Sequence, residues 1–211
     1  MKIRKLGLLG VSVLALAAVL PLSAAAGGAQ HVRWDIISFT GTAPLTFNPG
    51  GFAEAKAPPN TGNHNVPAND SRISLTGSGT FVAPAGGNGG SNAVTGGGTW
   101  QTFSSASSGG ALTGSGTYVV KELVTFEFAG FQTGTFIDNI GDTNERANGT
   151  AVLRIEYNDG TRGVLMVGCH GPGAPDGIVE GIAVTKGFTT YDLVQTPVGG
   201  VDANRTLFHV R

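Results

Sequence analysis

The chain has 211 residues, of which 35 are Gly and 10 are Pro, with 13 Lys and Arg against 14 Asp and Glu. This near-neutral balance argues against a nucleic-acid-binding protein, because such proteins carry a basic excess that pairs with phosphates. The single Cys excludes an internal disulfide. The glycine content disfavours a helical fold, since each Gly in a helix interior costs about 1 kcal/mol relative to Ala. Hydrophobic residues make up 40% of the chain, which is enough for a folded core.

Residues 1–26 have the pattern of a secretory signal peptide. The basic residues that open the pattern are Lys2, Arg4 and Lys5. An apolar run from Leu6 to about Leu22 follows, and Ala24 and Ala26 supply small residues for cleavage. A membrane anchor is the alternative, although this run is at the lower limit for a spanning helix. We expect cleavage and a secreted protein, extracellular or periplasmic, whose 27–211 region carries 10 basic and 14 acidic residues, a net charge of −4.

The pattern beyond residue 26 predicts one all-β domain over 27–211, because apolar residues alternate in short runs broken by Gly, Asn and Pro. Val32–Phe39 is the first predicted strand. Residues 41–70 are rich in Pro and Asn, and they predict a long irregular loop.

A short motif, T-G-x-G-T followed by an aromatic residue, then occurs three times. Its aromatic residues are Phe81, Trp100 and Tyr118, separated by 19 and 18 positions. This interval suits one strand out and one strand back, so we expect equivalent strands of a meander. Similar Gly-rich corners of one fold explain the motif, and a repeated ligand site is the alternative.

Gly116–Phe128 is the most regular predicted strand. Its apolar face carries Tyr118, Val120, Val124, Phe126 and Phe128, with Glu122 in the same phase, and its other face carries Val119, Lys121, Leu123, Thr125 and Glu127. Ala151–Tyr157 and Val164–Cys169 flank Asn158-Asp159-Gly160, which predicts a hairpin. With Ile178–Tyr191 and Thr206–Val210, the count is eight to ten strands. This set predicts a single-domain antiparallel β-barrel, with a two-sheet β-sandwich as the alternative.

The three motif copies and the Gly-rich meander resemble secreted barrels of the allene-oxide-cyclase and dirigent kind. In those families, strands of this Gly-Thr-Gly-aromatic type line an eight-stranded barrel. The resemblance covers residues 71–130. It implies a barrel with an apolar lumen, and it transfers no catalytic residues to this chain.

Cys169 and His170 are adjacent and precede a Gly/Pro-rich turn. A thiol beside an imidazole is one arrangement of a catalytic nucleophile and its base. Adjacent residues on a strand point to opposite faces, so a catalytic Cys169 would need His31, His64 or His209 instead. A buried thiol that ends an apolar strand, with His170 at the rim of the turn, is the simpler interpretation.

The sequence predicts no metal site and no cofactor. The four histidines lack a ligand-like spacing, and the segment from Asp138 to Glu145 resembles a calcium loop in composition only. We interpret that segment as a solvated acidic loop.

Glu122 and Asp35 are carboxylates on apolar strands. Inside a pocket, Glu122 could serve as an acid or base. A local bulge that turns Glu122 to solvent, or an ion pair with an Arg such as Arg154, is the favoured alternative. Three N-x-[ST] sequons, at Asn69, Asn148 and Asn204, would matter only where glycans are attached.

These patterns contain no convincing catalytic constellation, and they favour a secreted, non-catalytic binding module for a small apolar molecule or a glycan. Its predicted ligand contacts are Phe81, Trp100, Tyr118 and His170. One alternative is an extracellular isomerase, cyclase or lyase that uses Glu122, His170 or Cys169, and another is an extracellular structural protein. No nucleic-acid partner is expected, nor any membrane partner after cleavage.

Overall fold

A computed structural model describes residues 28–41, 43–57, 71–85, 89–106, 110–195 and 204–211. The predicted signal peptide, His64 and Asn69 therefore lie outside the described residues. The strands are β1 Gln30–Thr40, β2 Thr46–Pro49, β3 Ala53–Lys56, β4 Arg72–Leu75, β5 Ser78–Ala83, β6 Val94–Phe103, β7 Leu112–Phe131, β8 Ile137–Asp138, β9 Arg146–Tyr157, β10 Arg162–Cys169, β11 Gly181–Lys186, β12 Thr189–Tyr191, β13 Leu193–Gln195 and β14 Arg205–Val210. No helix among the described residues is long and apolar enough to span a membrane.

Six of these strands close into an antiparallel barrel, in the order β1, β5, β6, β7, β9, β14 and back to β1. The closing contact is short, since β14 pairs with β9 only through Phe208 opposite Ala147 and His209 opposite Arg146. The all-β barrel prediction is confirmed, and the remaining strands extend the sheet beyond the barrel. Closure uses six strands, where the resemblance implied eight.

Aromatic side chains fill the barrel interior. Phe126 on β7 makes edge contacts with Phe81 on β5 and Phe208 on β14, each with ring centroids 5.2 Å apart. Because these three strands are not neighbours in the sheet, their rings can meet only inside the barrel. These contacts occupy the space where the family resemblance implied an apolar lumen.

Three strands of the barrel carry the other strands, and β1 carries β2, which pairs with β8. β9 pairs with β10, which leads to β11 and β12, and β6 pairs with β4, which leads to β3 and β13. Trp100 of β6 and Tyr157 of β9 meet between these extensions in an edge contact of 5.8 Å. The predicted hairpin of β9 and β10 is confirmed, with Gly160 at a positive φ of 83° in its turn.

The three motif copies form the predicted meander, because β5, β6 and β7 are antiparallel neighbours. β6 pairs with β5 through residues 94–97 and with β4 through residues 100–103. Glycines occupy the positions at which β6 changes its pairing partner from β5 to β4. A Cβ at Gly98 would lie 1.9 Å from the carbonyl oxygen of Thr76, and one at Gly96 would lie 2.3 Å from that of Ser78. Only glycine permits this close approach of backbones.

The predicted phase of β7 is wrong in its middle and at Phe128, which was placed on the apolar face and is exposed. Register shifts fall between Val120 and Glu122 and again between Leu123 and Thr125. They turn Leu123 into the core, where it is fully buried, and leave Val124 half-buried. Each bulge adds one residue to the strand and therefore exchanges its two faces.

The predicted loop over 41–70 contains two short strands in its described part, β2 and β3. β2 pairs with β1, and Phe47 within it is buried against Phe39 and Phe136. β3 pairs with β4 and buries Ala53 and Ala55. Four-residue strands beside Pro and Gly carry too few residues for alternation to be read.

Two sequon asparagines belong to the packed structure. Asn148 is fully buried; its Oδ1 accepts from Gly171 N at 2.7 Å, and its Nδ2 donates to the Pro172 carbonyl at 3.4 Å. Asn204 is buried and accepts a hydrogen bond from Glu54 N. Neither side chain lies on a surface loop.

We expect Gly96→Ala to destabilise the fold by about 2–4 kcal/mol, because the new Cβ meets a backbone oxygen at a φ of +111°. Gly50→Ala is the matched control, since Gly50 has a φ of +83° but nothing within 4 Å of its Cβ position. The control should lose only about 1 kcal/mol. Urea unfolding measures both, and equal losses would show that the close approach is unimportant.

Candidate functional site

Cys169 and His170 point to opposite faces, as predicted. Cys169 is 1% exposed; its thiol donates to the Thr206 carbonyl and accepts from Gln132 Nε2, both at 3.1 Å. Burial raises the pKa of the Cys169 thiol well above its usual range, and the charge of Glu180 adds to this effect. The described partners of the sulfur include no imidazole, so the geometry is that of an inert buried thiol.

We expect Cys169 in the native protein to react with Ellman's reagent at least about 100-fold more slowly than in the urea-unfolded chain. The physical reason is the buried, protonated thiol. A native reaction as fast as that of the unfolded chain would instead identify an activated nucleophile.

His170 lies in the exposed loop after β10, beside a cavity of about 170 Å³ that Glu180 and Gln132 also line. The Glu180 carboxylate accepts hydrogen bonds from Thr206 N at 2.8 Å and from His170 N. His170 Nδ1 lies 2.8 Å from the Ile178 carbonyl, so this nitrogen carries the hydrogen. Burial raises the pKa of Glu180, and the two backbone hydrogen bonds oppose the rise.

The raised pKa of Glu180 predicts a pH-dependent stability. Folding favours the protonated form, so the contribution of Glu180 is most favourable below its ordinary pKa of 4.5 and is lost as pH rises through the folded pKa. Glu180→Gln should therefore gain stability relative to the wild type as pH rises, measured by urea unfolding between about pH 4 and pH 8. Glu127→Gln, at an exposed position on β7, is the control. A pH-independent difference for Glu180→Gln would contradict the assignment.

Glu122 forms an ion pair with Arg154 at 3.0 Å on the outside of the sheet, where both side chains are at least one-third exposed. The bulge and the Arg154 partner were predicted as alternatives, and the structure contains both. Arg154 is six residues along β9 from Asn148, which contacts the turn after His170. Glu122 and His170 are therefore about 20 Å apart along the strands, and the structure does not bring them into one site.

The predicted ligand-contacting aromatics all point inward. Phe81, Trp100 and Tyr118 are each at most 5% exposed. Trp100 Nε1 donates to Asn158 Oδ1 at 3.1 Å, and Tyr118 OH donates to the Thr76 carbonyl at 2.9 Å. These rings pack in the interior, away from the exposed His170. Their role in ligand binding stays a prediction.

The other polar candidates form pairs. Asp35 is buried and accepts two hydrogen bonds from the Arg33 guanidinium, at 2.8 and 2.9 Å. Asp138, from the calcium-like segment, accepts from His209 Nε2 at 3.0 Å. No group of three His, Cys, Asp or Glu residues within the described ranges could hold a metal ion.

A groove that the sequence reasoning missed lies on the outer face of β3, β4 and β6. It has a volume of about 440 Å³. Its lining residues are Phe52, Glu54, Arg72, Ser74, Thr76, Thr99, Gln101 and Phe103. The pairing of β4 with β6 brings these residues together, since Ser74 lies opposite Gln101 and Arg72 opposite Phe103.

Charged and aromatic groups are fixed against each other in this groove. Arg72 Nε lies 3.3 Å from Glu54 Oε1, and both side chains are almost fully buried. The Arg72 guanidinium lies 3.9 Å from the Phe103 ring centroid and also donates to the Ser105 carbonyl at 2.7 Å. Alternation of Thr99, Gln101 and Phe103 on one face of β6 was the available signal, but the Gly- and Ser-rich composition of residues 104–110 conceals where the strand ends.

Comparisons of the chain with models of protein families, with curated proteins and with solved structures find no match.

Proposed function

We propose that this protein is an exported, non-catalytic β-barrel module that binds a glycan chain in the groove of β3, β4 and β6. The observation that carries the proposal is the presence of two aromatic rings, Phe52 and Phe103, in one groove with a fixed Arg72–Glu54 pair. The pattern of an export signal at residues 1–26 supports it, because export brings a protein to cell-surface and matrix glycans.

Aromatic rings suit the apolar face of a sugar. The C–H bonds of a pyranose present a weakly positive, apolar surface, and the face of an aromatic ring is weakly negative. Phe52 precedes β3 and Phe103 ends β6, four residues beyond Thr99. Phe103 is therefore about 13 Å along β6 from the Thr99 level of the groove. A groove of this length accommodates several sugar rings of one chain.

The polar residues between the rings supply both kinds of hydrogen-bonding group that sugar hydroxyls need. The exposed Gln101 amide provides both a donor and an acceptor. Thr76 and Thr99 add hydroxyls that are 2.8 Å apart. Because Arg72 is held by Glu54 and lies against the Phe103 ring, little side-chain entropy of Phe103 is lost when a ligand binds.

An array of plant, fungal, bacterial and animal glycans, probed with the purified protein, tests the proposal and identifies the sugar. Isothermal titration calorimetry with an oligosaccharide that binds on the array then measures affinity. We expect Phe103→Ala and Gln101→Ala each to weaken binding about tenfold or more, through lost stacking and lost hydrogen bonds. Phe131→Ala, which removes an exposed ring on β7 outside the groove, should leave the affinity unchanged.

Gln101 is exposed, so Gln101→Ala keeps the fold and separates binding from stability. Absence of binding to every glycan on the array would overturn the proposal. So would equal losses of affinity in Gln101→Ala and Phe131→Ala.

A further inference from the structure

We propose, on the basis of the glycan-binding function proposed for the groove of β3, β4 and β6, that its ligand is an uncharged polysaccharide bound as an extended chain along the full length of β6. Residues 73–120 contain no Asp, Glu, Lys or Arg, although the chain has 13 basic and 14 acidic residues. A soluble protein surface usually carries charges of both signs at about a quarter of its positions. β5, β6 and the part of β7 before Lys121 therefore present an unusual, uncharged outer face.

The outward side chains of this face are mainly hydroxyl groups. Six of them are exposed, and they are Ser78 and Thr80 on β5, Thr95 and Thr99 on β6, and Ser115 and Thr117 on β7. Strand pairing places them side by side, since Thr80 lies opposite Thr95 and Thr99 opposite Thr117. Thr80, Thr99 and Thr117 are the threonines that precede the aromatic residue in the three motif copies. The motif therefore supplies hydroxyls to the surface as well as rings to the core.

The hydroxyls form pairs that keep hydrogen-bonding capacity for a ligand. Thr80 Oγ1 lies 2.7 Å from Thr95 Oγ1, and Thr76 Oγ1 lies 2.8 Å from Thr99 Oγ1. A hydroxyl group has one hydrogen to donate and two lone pairs that accept. Each pair uses one hydrogen internally, so one hydrogen and at least one lone pair are left over. Sugar hydroxyls need both a donor and an acceptor, and such pairs provide both without a charge.

The charges within the groove itself cancel. Arg72 and Glu54 are the charged members of the described lining, and they form an ion pair of 3.3 Å whose side chains are 6% and 4% exposed. A carboxylate or sulfate on a glycan would therefore meet a cation that is already neutralised, and an amino group would meet a neutralised anion. The cost of removing such a charged group from water would not be offset. An uncharged sugar avoids this cost.

The hydroxyl face continues the groove along β6. The groove includes Thr99, Gln101 and Phe103, and Thr95 is exposed on the same face four residues before Thr99. The distance along the strand from Thr95 to Phe103 is about 27 Å, which corresponds to about five sugar residues of an extended chain. Such a chain would stack on Phe103 at one end and contact the Thr80–Thr95 hydroxyl pair at the other. A disaccharide would fill the groove alone.

Calorimetric titration with oligosaccharides of two to six residues tests the proposal. The uncharged probes are cello-, malto- and manno-oligosaccharides and oligomers of N-acetylglucosamine, and the charged probes are hexagalacturonate and the hexamer of glucosamine. We expect at least one uncharged series to bind, with an affinity that rises at least about tenfold from two to five residues, and both charged hexamers to bind at least about tenfold more weakly than the best uncharged hexamer.

The same titrations separate failure of this proposal from failure of glycan binding. An affinity that stops rising at two or three residues would refute the extended chain, and a charged hexamer that binds more tightly than every uncharged one would refute the neutral ligand. Either result leaves the glycan-binding function in place. Absence of binding by every uncharged series would overturn the proposal as well.

Two variants locate the far end of the bound chain. Thr95→Val removes a hydroxyl outside the groove and keeps a β-branched side chain. It should weaken binding of the hexasaccharide about fivefold, through lost hydrogen bonds, and leave binding of the disaccharide unchanged. Thr190→Val, at an exposed position on β12, is the matched control and should keep wild-type affinity for both lengths. Urea unfolding shows whether both variants retain the fold.

Gln101→Ala, inside the groove, completes the comparison, because it should weaken binding of both lengths. Unchanged hexasaccharide affinity in Thr95→Val would contradict the extended chain. Unchanged affinity in Gln101→Ala would contradict the glycan groove itself.

Discussion

The close approach of backbone to backbone at Gly96 and Gly98 is the constraint on which the architecture depends. With no side chain in the way, β6 exchanges β5 for β4 along its length and so belongs to the barrel at one end and to its extension at the other. Phe81 and Trp100 then enter two different parts of the interior. The glycine excess is therefore a requirement of strand curvature, since curved sheets need sites without Cβ atoms.

Aromatic side chains fill the interior of the barrel, so the polar groups that can contact a ligand lie on its outer face. The aromatic residue of each motif copy points inward, and the threonine before it, as in Thr99, is exposed on the outer face. The groove of β3, β4 and β6 is built from such outward positions, and its Arg72 and Glu54 form a fixed pair. Rigid strands therefore position the polar groups, where many binding proteins rely on loops.

The sequence predicted the features that depend on neighbouring residues or on a single strand pair. The β9–β10 hairpin depends on alternation and on a turn that Gly160 closes, and the Arg154 partner of Glu122 lies directly across one strand pair. The groove of β3, β4 and β6 joins Phe52 to Phe103, which are distant in sequence and lie beside segments with loop composition. Their proximity follows from the pairing of three strands, which no local pattern encodes. Leu123 was misplaced for a related reason, because bulges leave no composition signal.

Folding and glycosylation compete at the two buried sequon asparagines. Asn148 and Asn204 use their amide oxygens to hold other segments of the chain in place. A glycan attached to either amide while the chain is still unfolded could not fit into the closed structure. Production in a host that glycosylates nascent chains would therefore divert the protein from its native state, whereas a host without this modification would leave both asparagines free to pack.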